Sequence, residues 1–366
     1  MYLFPELELA EKRVRVVLVG CGEQATNLIH DAISYLDEVE VVAVCDLNKD
    51  RVDFAARRFG LLRSYQNLDE MLAEVKADIA FVVMVPALQA KLAAKCLAAG
   101  LHTYVEKPLS IEMADLTELE AIAKKMNKKV GVSFNKRYAL AYRDMKNAIM
   151  TPDFGKTSAY IVKFVGGYRA TPVDLLRTGS VHFFDLARFL IGDIDELFAY
   201  KYEKQPGQHI FSVTASFENG CVGSLVLGSL GTWSNGYGME GVEVRGDRHF
   251  VFADNGRDFT WQKPGTLKPQ EAGSGSTQAV VEEAVPVEIL KPNYSNIGKL
   301  ILKDFFINGN YQCMKDFVKA VINDTEPPVN NYDGKMALKY ALAIEKSVVE
   351  HRSIKISEIE DEDKMN

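Results

Sequence analysis

Disulfide chemistry, metal coordination and membrane insertion all lack their sequence signals in this chain. Its five cysteines stand at 21, 45, 96, 221 and 313, an odd and scattered set with no CxxC pair. That spacing excludes a disulfide framework and suits reduced thiols in the cytoplasm. No His/Cys/acid spacing offers a ligand set, so no metal is expected. No apolar run is long enough to span a bilayer. Residues 1–12 carry acids and no sustained apolar core, so no secretory leader is expected. Positive charge is in deficit too: 43 Lys and Arg against 50 Asp and Glu leave a net charge of −7. That balance argues against nucleic acid or an anionic membrane as partner. What remains is an ordinary mixture, 47% hydrophobic and 25% charged, over 366 residues. Such a length holds two domains, each with its own core.

The informative stretch is 14–46. Arg15-Val16-Val17-Leu18-Val19 is an apolar, β-branched run of the kind that becomes a buried parallel strand. It runs into Gly20-Cys21-Gly22-Glu23-Gln24-Ala25, a GxGxxA turn, followed by a helical stretch at 26–36, a second apolar run at 39–44, and Asp46. Strand, glycine turn, helix, strand and acid in that order describe a dinucleotide site. Gly20 permits the tight turn, Gly22 lets the backbone approach a pyrophosphate, and small Ala25 lets helix pack on strand. The helix start, with Glu23 and Gln24, offers N–H groups to phosphates. Asp46 is placed to accept a hydrogen bond from the adenosine ribose, which favours NAD; nearby Lys49 and Arg51 leave NADP open. The competing readings are a glycine turn in another kind of α/β protein and a methyltransferase, which uses similar glycines and a similar acid.

Helical and apolar segments then alternate: helix 49–59 closed by Gly60, helix 68–75, strand 77–85, helix 87–99, strand 101–105, helix 110–126 and strand 129–134. That rhythm implies a parallel, doubly wound α/β sheet whose ligands bind beyond the carboxyl ends of its strands, where Gly20, Asp46, Pro86, Lys107 and Asn135 fall. Past residue 150 the texture changes. After a helix at 142–150, a loop at 151–155, a strand at 157–165 and a helix at 181–191, the stretch 197–261 reads as a mostly antiparallel sheet. Its turns are signalled at Glu218-Asn219-Gly220, Ser234-Asn235-Gly236 and Asp254-Asn255-Gly256. Residues 263–276 read as a loop, 311–323 and 334–351 as helices, and 358–366 as an acidic, frayed tail. The expected layout is a dinucleotide-binding domain at 1–136 and an α+β domain at 137–366 that covers its cleft. Trp233, Tyr237 and Trp261 are expected to fill sheet and interface rather than stack on a sugar.

At Glu106-Lys107-Pro108 the chain resembles the glucose–fructose oxidoreductase, inositol dehydrogenase and MocA-like family of NAD(P)-dependent enzymes. The likeness spans nearly the whole length: the GxGxxA turn, the Glu-Lys-Pro after the fourth strand, residues 132–137 (GVSFNKR with Gly131), His182 with Asp185, and Pro328 with Tyr332-Asp333-Gly334 before a last helix. The resemblance implies a Rossmann domain plus an open-faced α+β domain whose sheet forms a homodimer or homotetramer interface. It also implies hydride exchange at a carbon bearing a hydroxyl or carbonyl, on a sugar, cyclitol or related polyol. Two positions depart from the family pattern. Thr178-Gly179-Ser180-Val181-His182 stands where members commonly carry Asp-x-Gly-x-His, and Val85-Pro86-Ala87-Leu88-Gln89 stands where they carry Thr-Pro-Asn and a His.

Removing a hydroxyl proton as hydride leaves the same carbon needs a proton acceptor. His182 is the expected one, because imidazole titrates near neutrality. Lys107 is expected at the floor of the cleft, its ammonium stabilising developing alkoxide, with a cis bond to Pro108 open to it. Val85, Pro86, Gln89, Glu106, Lys107 and Asn135 join the glycine turn and Asp46 as expected cofactor contacts. Tyr168, Arg169, Arg177, Thr178 and Asp185 are the expected substrate lining, the arginines suiting a carboxylate or phosphate. Asn135 and Arg137 begin the crossover between domains and are candidates to touch cofactor or Lys107. Two alternatives stand beside the oxidoreductase reading. One is a lyase- or glycosidase-type relative that uses NAD transiently; the other is a nucleotide- or sugar-binding protein without catalysis. A pure binder has no need of Lys107 and His182, and a methyltransferase predicts neither that lysine nor a separate sheet domain.

Overall fold

The computed structural model describes residues 13–232, 239–263, 288–290 and 304–361. The turn expected at 234–236, Trp233, Tyr237, the loop from 264 and the end of the tail lie outside them. The β-branched run forms β1 (Val14–Val19), with all but one position buried. It is flanked by β2 (Val39–Cys45) on one side and β3 (Ile79–Val82) on the other, and β4 (His102–Val105) and β5 (Val130–Val132) extend the sheet. The order is β2-β1-β3-β4-β5 with every pairing parallel, as a run of strands buried on both faces requires. The crossovers are helices at Lys49–Arg58, Leu68–Glu74, Pro86–Ala98 and Met113–Met126. The helix expected at 26–36 is present but shorter and wider at its start: a π-helical segment, Ala25–Ile29, continues as an α-helix, His30–Ile33.

A second sheet follows: β6 (Ala159–Val165), β7 (Ile194–Gln205), β8 (Gln208–Phe217), β9 (Val222–Gly228), β10 (Glu240–Arg245), β11 (Phe250–Asp254), β12 (Asp258–Lys263), β13 (Glu288–Leu290) and β14 (Ile354–Lys355). The order is β13-β12-β11-β10-β6-β9-β8-β7-β14, antiparallel throughout except where β6 meets β9. The β11–β12 turn uses Asn255 and Gly256, both at positive φ (49° and 65°), the backbone state those two residues tolerate best. Helices Leu140–Ile149 and Val181–Leu190 pack under this sheet.

The last described segments tie the two sheets together. Helix Asn310–Ile322 returns to the first sheet, where the Phe317 ring sits 6.5 Å from Phe81 and 5.5 Å from Tyr104. Helix Asn331–Glu350 starts in a capping box in which Asn330 and Asp333 satisfy each other's end of the helix, and it lies along β7. Among the described residues, no helix is long and apolar enough to cross a membrane.

Candidate active site

The glycine turn is held by sterics. Gly20 has φ +96°, and a Cβ there would lie 2.1 Å from the Val83 carbonyl oxygen, so β1 and β3 close on each other only because the side chain is missing. Gly22 differs: a Cβ there would meet nothing within 4 Å. Its backbone faces an open crevice of about 630 Å³ at the carboxyl ends of the strands, lined by Gly22, Glu23, Gln24, Ala25, Asp46, Arg51, Val85, Pro86, Glu106, Lys107, Arg169 and Thr178. The Asp46 carboxylate accepts the Cys21 N–H at 2.7 Å and the Asn48 N–H at 2.8 Å, tying the end of β2 to the turn. Space at Gly22, an acid at the end of β2 and a wall of strand termini suit a dinucleotide laid across the sheet edge.

Beyond Lys107 the crevice joins a second cavity, about 350 Å³, whose lining includes Gln24, Glu106, Lys107, Asn135, Lys136, Tyr142 and His182. Its far wall comes from Met239, Asn255, Gly256, Arg257, Asn308 and Asn310. The Lys107–Pro108 peptide is cis. Among the described residues the Lys107 ammonium makes no hydrogen bond or ion pair. Burial pushes its pKa below the ordinary lysine range, and Arg169 and Lys136 push the same way against Glu106. Glu106 itself is raised, by burial first of all, and its Oε2 is buried with no hydrogen-bond partner. His182 packs edge-on to Phe134 at 6.2 Å, with Nδ1 buried and unpartnered. Burial holds its pKa well below the usual imidazole range, with Lys107 and Lys136 adding to the effect. Thr178 offers no carboxylate nearby; its hydroxyl donates to the Asp174 carbonyl one turn back.

The structure brings the expected glycine turn, Asp46, Val85, Pro86, Glu106, Lys107, Asn135, Arg169, Thr178 and His182 to these two cavities. Five expected contacts lie elsewhere, each for a visible reason. Arg177 is buried in a pair with Glu345 (3.0 and 2.6 Å), because its helical turn faces the helix Asn331–Glu350 rather than the cleft. Asp185, one turn after His182, lines neither cavity and accepts two bonds from Arg137 at 2.8 and 2.5 Å; burial lifts its pKa to about 6 despite them. Arg137 is thereby committed to Asp185 and, at 2.8 Å, to Asp333, so it touches neither cofactor crevice nor Lys107. Gln89 is buried, with its Nε2 donating to the Pro108 carbonyl at 2.6 Å, and so braces the loop behind Lys107. Tyr168 is exposed and lies against Gly207 in the β7–β8 turn.

Sequence reasoning misses the far wall. Asn255, Gly256 and Arg257 are readable only as a hairpin turn, and Asn308 and Asn310 carry no motif. Lys136 sits within the 131–137 motif and could have been singled out there. Its ammonium is held by both Glu240 carboxylate oxygens at 2.6 Å.

Residues 14–134 match a family model described as an oxidoreductase family with an NAD-binding Rossmann fold. The myo-inositol 2-dehydrogenase of Thermotoga maritima is 25% identical over 363 residues, 94% of this chain and 99% of that protein. The D-apiose dehydrogenase of Paraburkholderia graminis is 28% identical over 197 residues, 51% of this chain and 52% of the relative. Among solved structures, an oxidoreductase from Agrobacterium radiobacter in complex with NAD+, L-tartaric acid and magnesium superposes with a TM-score of 0.78. That match covers 95% of this chain and 99% of that one at 15% identity, a likeness of fold.

Proposed function

We propose that this chain belongs to the glucose–fructose oxidoreductase, inositol dehydrogenase and MocA-like family of NAD-binding oxidoreductases, and that its substrate is a sugar, cyclitol or related polyol, exchanging hydride at a secondary alcohol or ketone. One observation carries the reading: Lys107 lines both the dinucleotide crevice and the adjoining cavity that contains His182. A substrate carbon in that cavity is then within reach of both the nucleotide and a proton-transfer group. Gly22, Gln24, Asp46, Val85 and Pro86 would hold the NAD, which when bound supplies the hydride acceptor or donor. In this reading residues 1–136 bind the nucleotide and 137–366 complete the substrate cavity.

The proton falls to Lys107. Burial disfavours a protonated His182 ring, the Lys136 cation adds to the effect and position 178 offers no carboxylate, so the neutral imidazole is favoured there. Lys107 is pushed towards its free amine, whose lone pair can take the hydroxyl proton as the C–H bond breaks. His182 then acts as a neutral hydrogen-bonding group that orients the substrate oxygen. The exposed face of the second sheet supports a homodimer or homotetramer. Tyr200, Ser212 and Val226 stand side by side across β7, β8 and β9, with Tyr202 and Ile161 also exposed. The five buried, unbridged cysteines support a cytoplasmic location.

The test is a screen of polyols, aldoses and their keto forms for change in nicotinamide absorbance. Lys107→Ala is expected to lower kcat by roughly a thousandfold with NAD affinity kept, and His182→Ala by roughly tenfold to a hundredfold. Unchanged turnover in both variants would remove this assignment.

A further inference from the structure

Lys136 begins the crossover between the two sheets, in the short turn Asn135–Tyr138. Its ammonium spends two of its three N–H donors on the two oxygens of Glu240, each at 2.6 Å, across the divide between first and second sheet. Glu240 opens β10 and is 5% exposed. It is fixed in turn by the Tyr142 hydroxyl, which donates to Oε1 at 2.5 Å, and by its own N–H, which donates to Asn255 Oδ1 at 3.2 Å. Two rings complete the seat: the Lys136 nitrogen lies 5.3 Å from the centre of Phe183 and 5.8 Å from that of Tyr142. A solvated lysine needs no such mounting. This one lines the same cavity as Lys107 and His182.

We propose that Lys136, clamped by Glu240 and Tyr142, is a positioning residue for the reaction: a fixed cation beside Lys107 that leaves Lys107 as the proton acceptor of the cavity. The inference deepens the dehydrogenase reading and rests on it for the role given to Lys107. The charges facing Lys107 are Glu106 on its own loop, Arg169 from the segment before His182, and Lys136 from the crossover; His182 lines the cavity alongside. Lys136 and Lys107 both line the cavity and Glu240 does not, which leaves the cation as the end of the clamped pair that faces it. In the reaction the substrate O–H and C–H bonds break: the proton passes to the Lys107 nitrogen, the O–H electron pair becomes the second C–O bond of the ketone, and bound NAD+ would supply the hydride acceptor.

The experiment is competitive acetylation of the NAD-loaded protein by acetic anhydride across a pH series, with the Lys107 peptide followed by mass spectrometry. It reports the fraction of free amine at Lys107 without any substrate. In Lys136→Met the Lys107 acetylation rate at neutral pH is expected to fall roughly threefold or more, with its midpoint moved to higher pH. Lys136→Arg, which keeps the charge, is expected to stay at the wild-type rate. Because Lys136→Met strands the Glu240 carboxylate, the double variant Lys136→Met/Glu240→Gln is run beside it and is expected to move the same way. An unchanged Lys107 rate in the folded Met variants, or an equal fall in the Arg variant, overturns the proposal. Turnover of polyols without the acetylation shift sinks the role of Lys136 alone. The acetylation shift with no polyol turned over sinks the substrate reading and leaves Lys136 in place.

Discussion

The two cavities that meet at Lys107 are made in different ways. The dinucleotide crevice is built from strand ends, a glycine turn and a cis peptide, nearly all drawn from residues 22–108. The cavity beside His182 is gathered from positions as far apart as Gln24 and Asn310 and walled by both sheets. The first is specified by local rules, and at Gly20 a single residue type fits. The second exists only once the chain has crossed to the second sheet and come back through helix Asn310–Ile322. The difference predicts where substitutions act: on folding or nucleotide binding in the crevice, on the proposed proton transfer in the cavity.

The sharpest way to break that contrast lies within the crevice itself. Gly20→Ala puts a Cβ 2.1 Å from the Val83 oxygen at a φ of +96°, and nothing there can give way but backbone. It is expected to cost on the order of 3 kcal/mol or more, read as a lower urea midpoint. Gly22→Leu meets open space and is expected to fold within about 1 kcal/mol of the parent while losing roughly a hundredfold in NAD affinity by calorimetry. Equal stability losses in the two variants would mean that the crevice is not open at Gly22.

Two histidines extend the comparison to pH. His30, under the glycine turn, has its pKa lowered from 6.5 to about 4, by burial first and the Arg58 charge second. Between those values the unfolded chain binds a proton that the folded chain refuses. The stability present above pH 6.5 is therefore lost as pH falls through about 4. The loss from this group is on the order of 3 kcal/mol, and His30→Leu is expected to flatten that acid limb in urea melts. His182 is lowered too, so it also destabilises the fold below the ordinary imidazole pKa. His182→Ala is distinguished by losing turnover as well. A His30→Leu protein with the parent's acid limb would sink the assignment.

The crevice was legible in the sequence because its constraints are local. Gly20, Gly22 and Asp46 declare a turn, an opening and an acid by residue type and spacing, whatever the rest of the chain does. Both sheets were legible for the same reason, since continuous apolar runs and alternating ones mark buried and half-exposed strands. The substrate set was less so. Helical spacing places Asp185 one turn from His182, but the packing that turns it towards Arg137 depends on Asp333, far along the chain. Arg177 is lost to Glu345 by the same kind of long-range pairing. Arg257 shows the converse: it reads as part of a surface turn, yet the fold carries that turn to the cavity wall. Side-chain direction across a domain boundary is set by tertiary contacts that local spacing does not encode.

The smallest expected effect tests how a single residue can serve both kinds of construction. Asp46 already accepts the N–H groups of Cys21 and Asn48, one on each carboxylate oxygen. A carboxylate has about four lone-pair sites, so roughly two remain for ribose hydroxyls. Asp46→Asn keeps one acceptor oxygen and removes the charge that repels a 2′-phosphate, with Arg51 already in the crevice to receive it. The variant is expected to bind NADP about tenfold more tightly and NAD only slightly less, with stability lowered by no more than about 1 kcal/mol. Asp46→Ala removes both acceptors and should add a further loss of about 1–3 kcal/mol, since two backbone N–H groups lose a charged partner. If the Asn variant discriminates between the two cofactors as the parent does, the charge of Asp46 serves the turn alone, and cofactor choice is made elsewhere in the crevice.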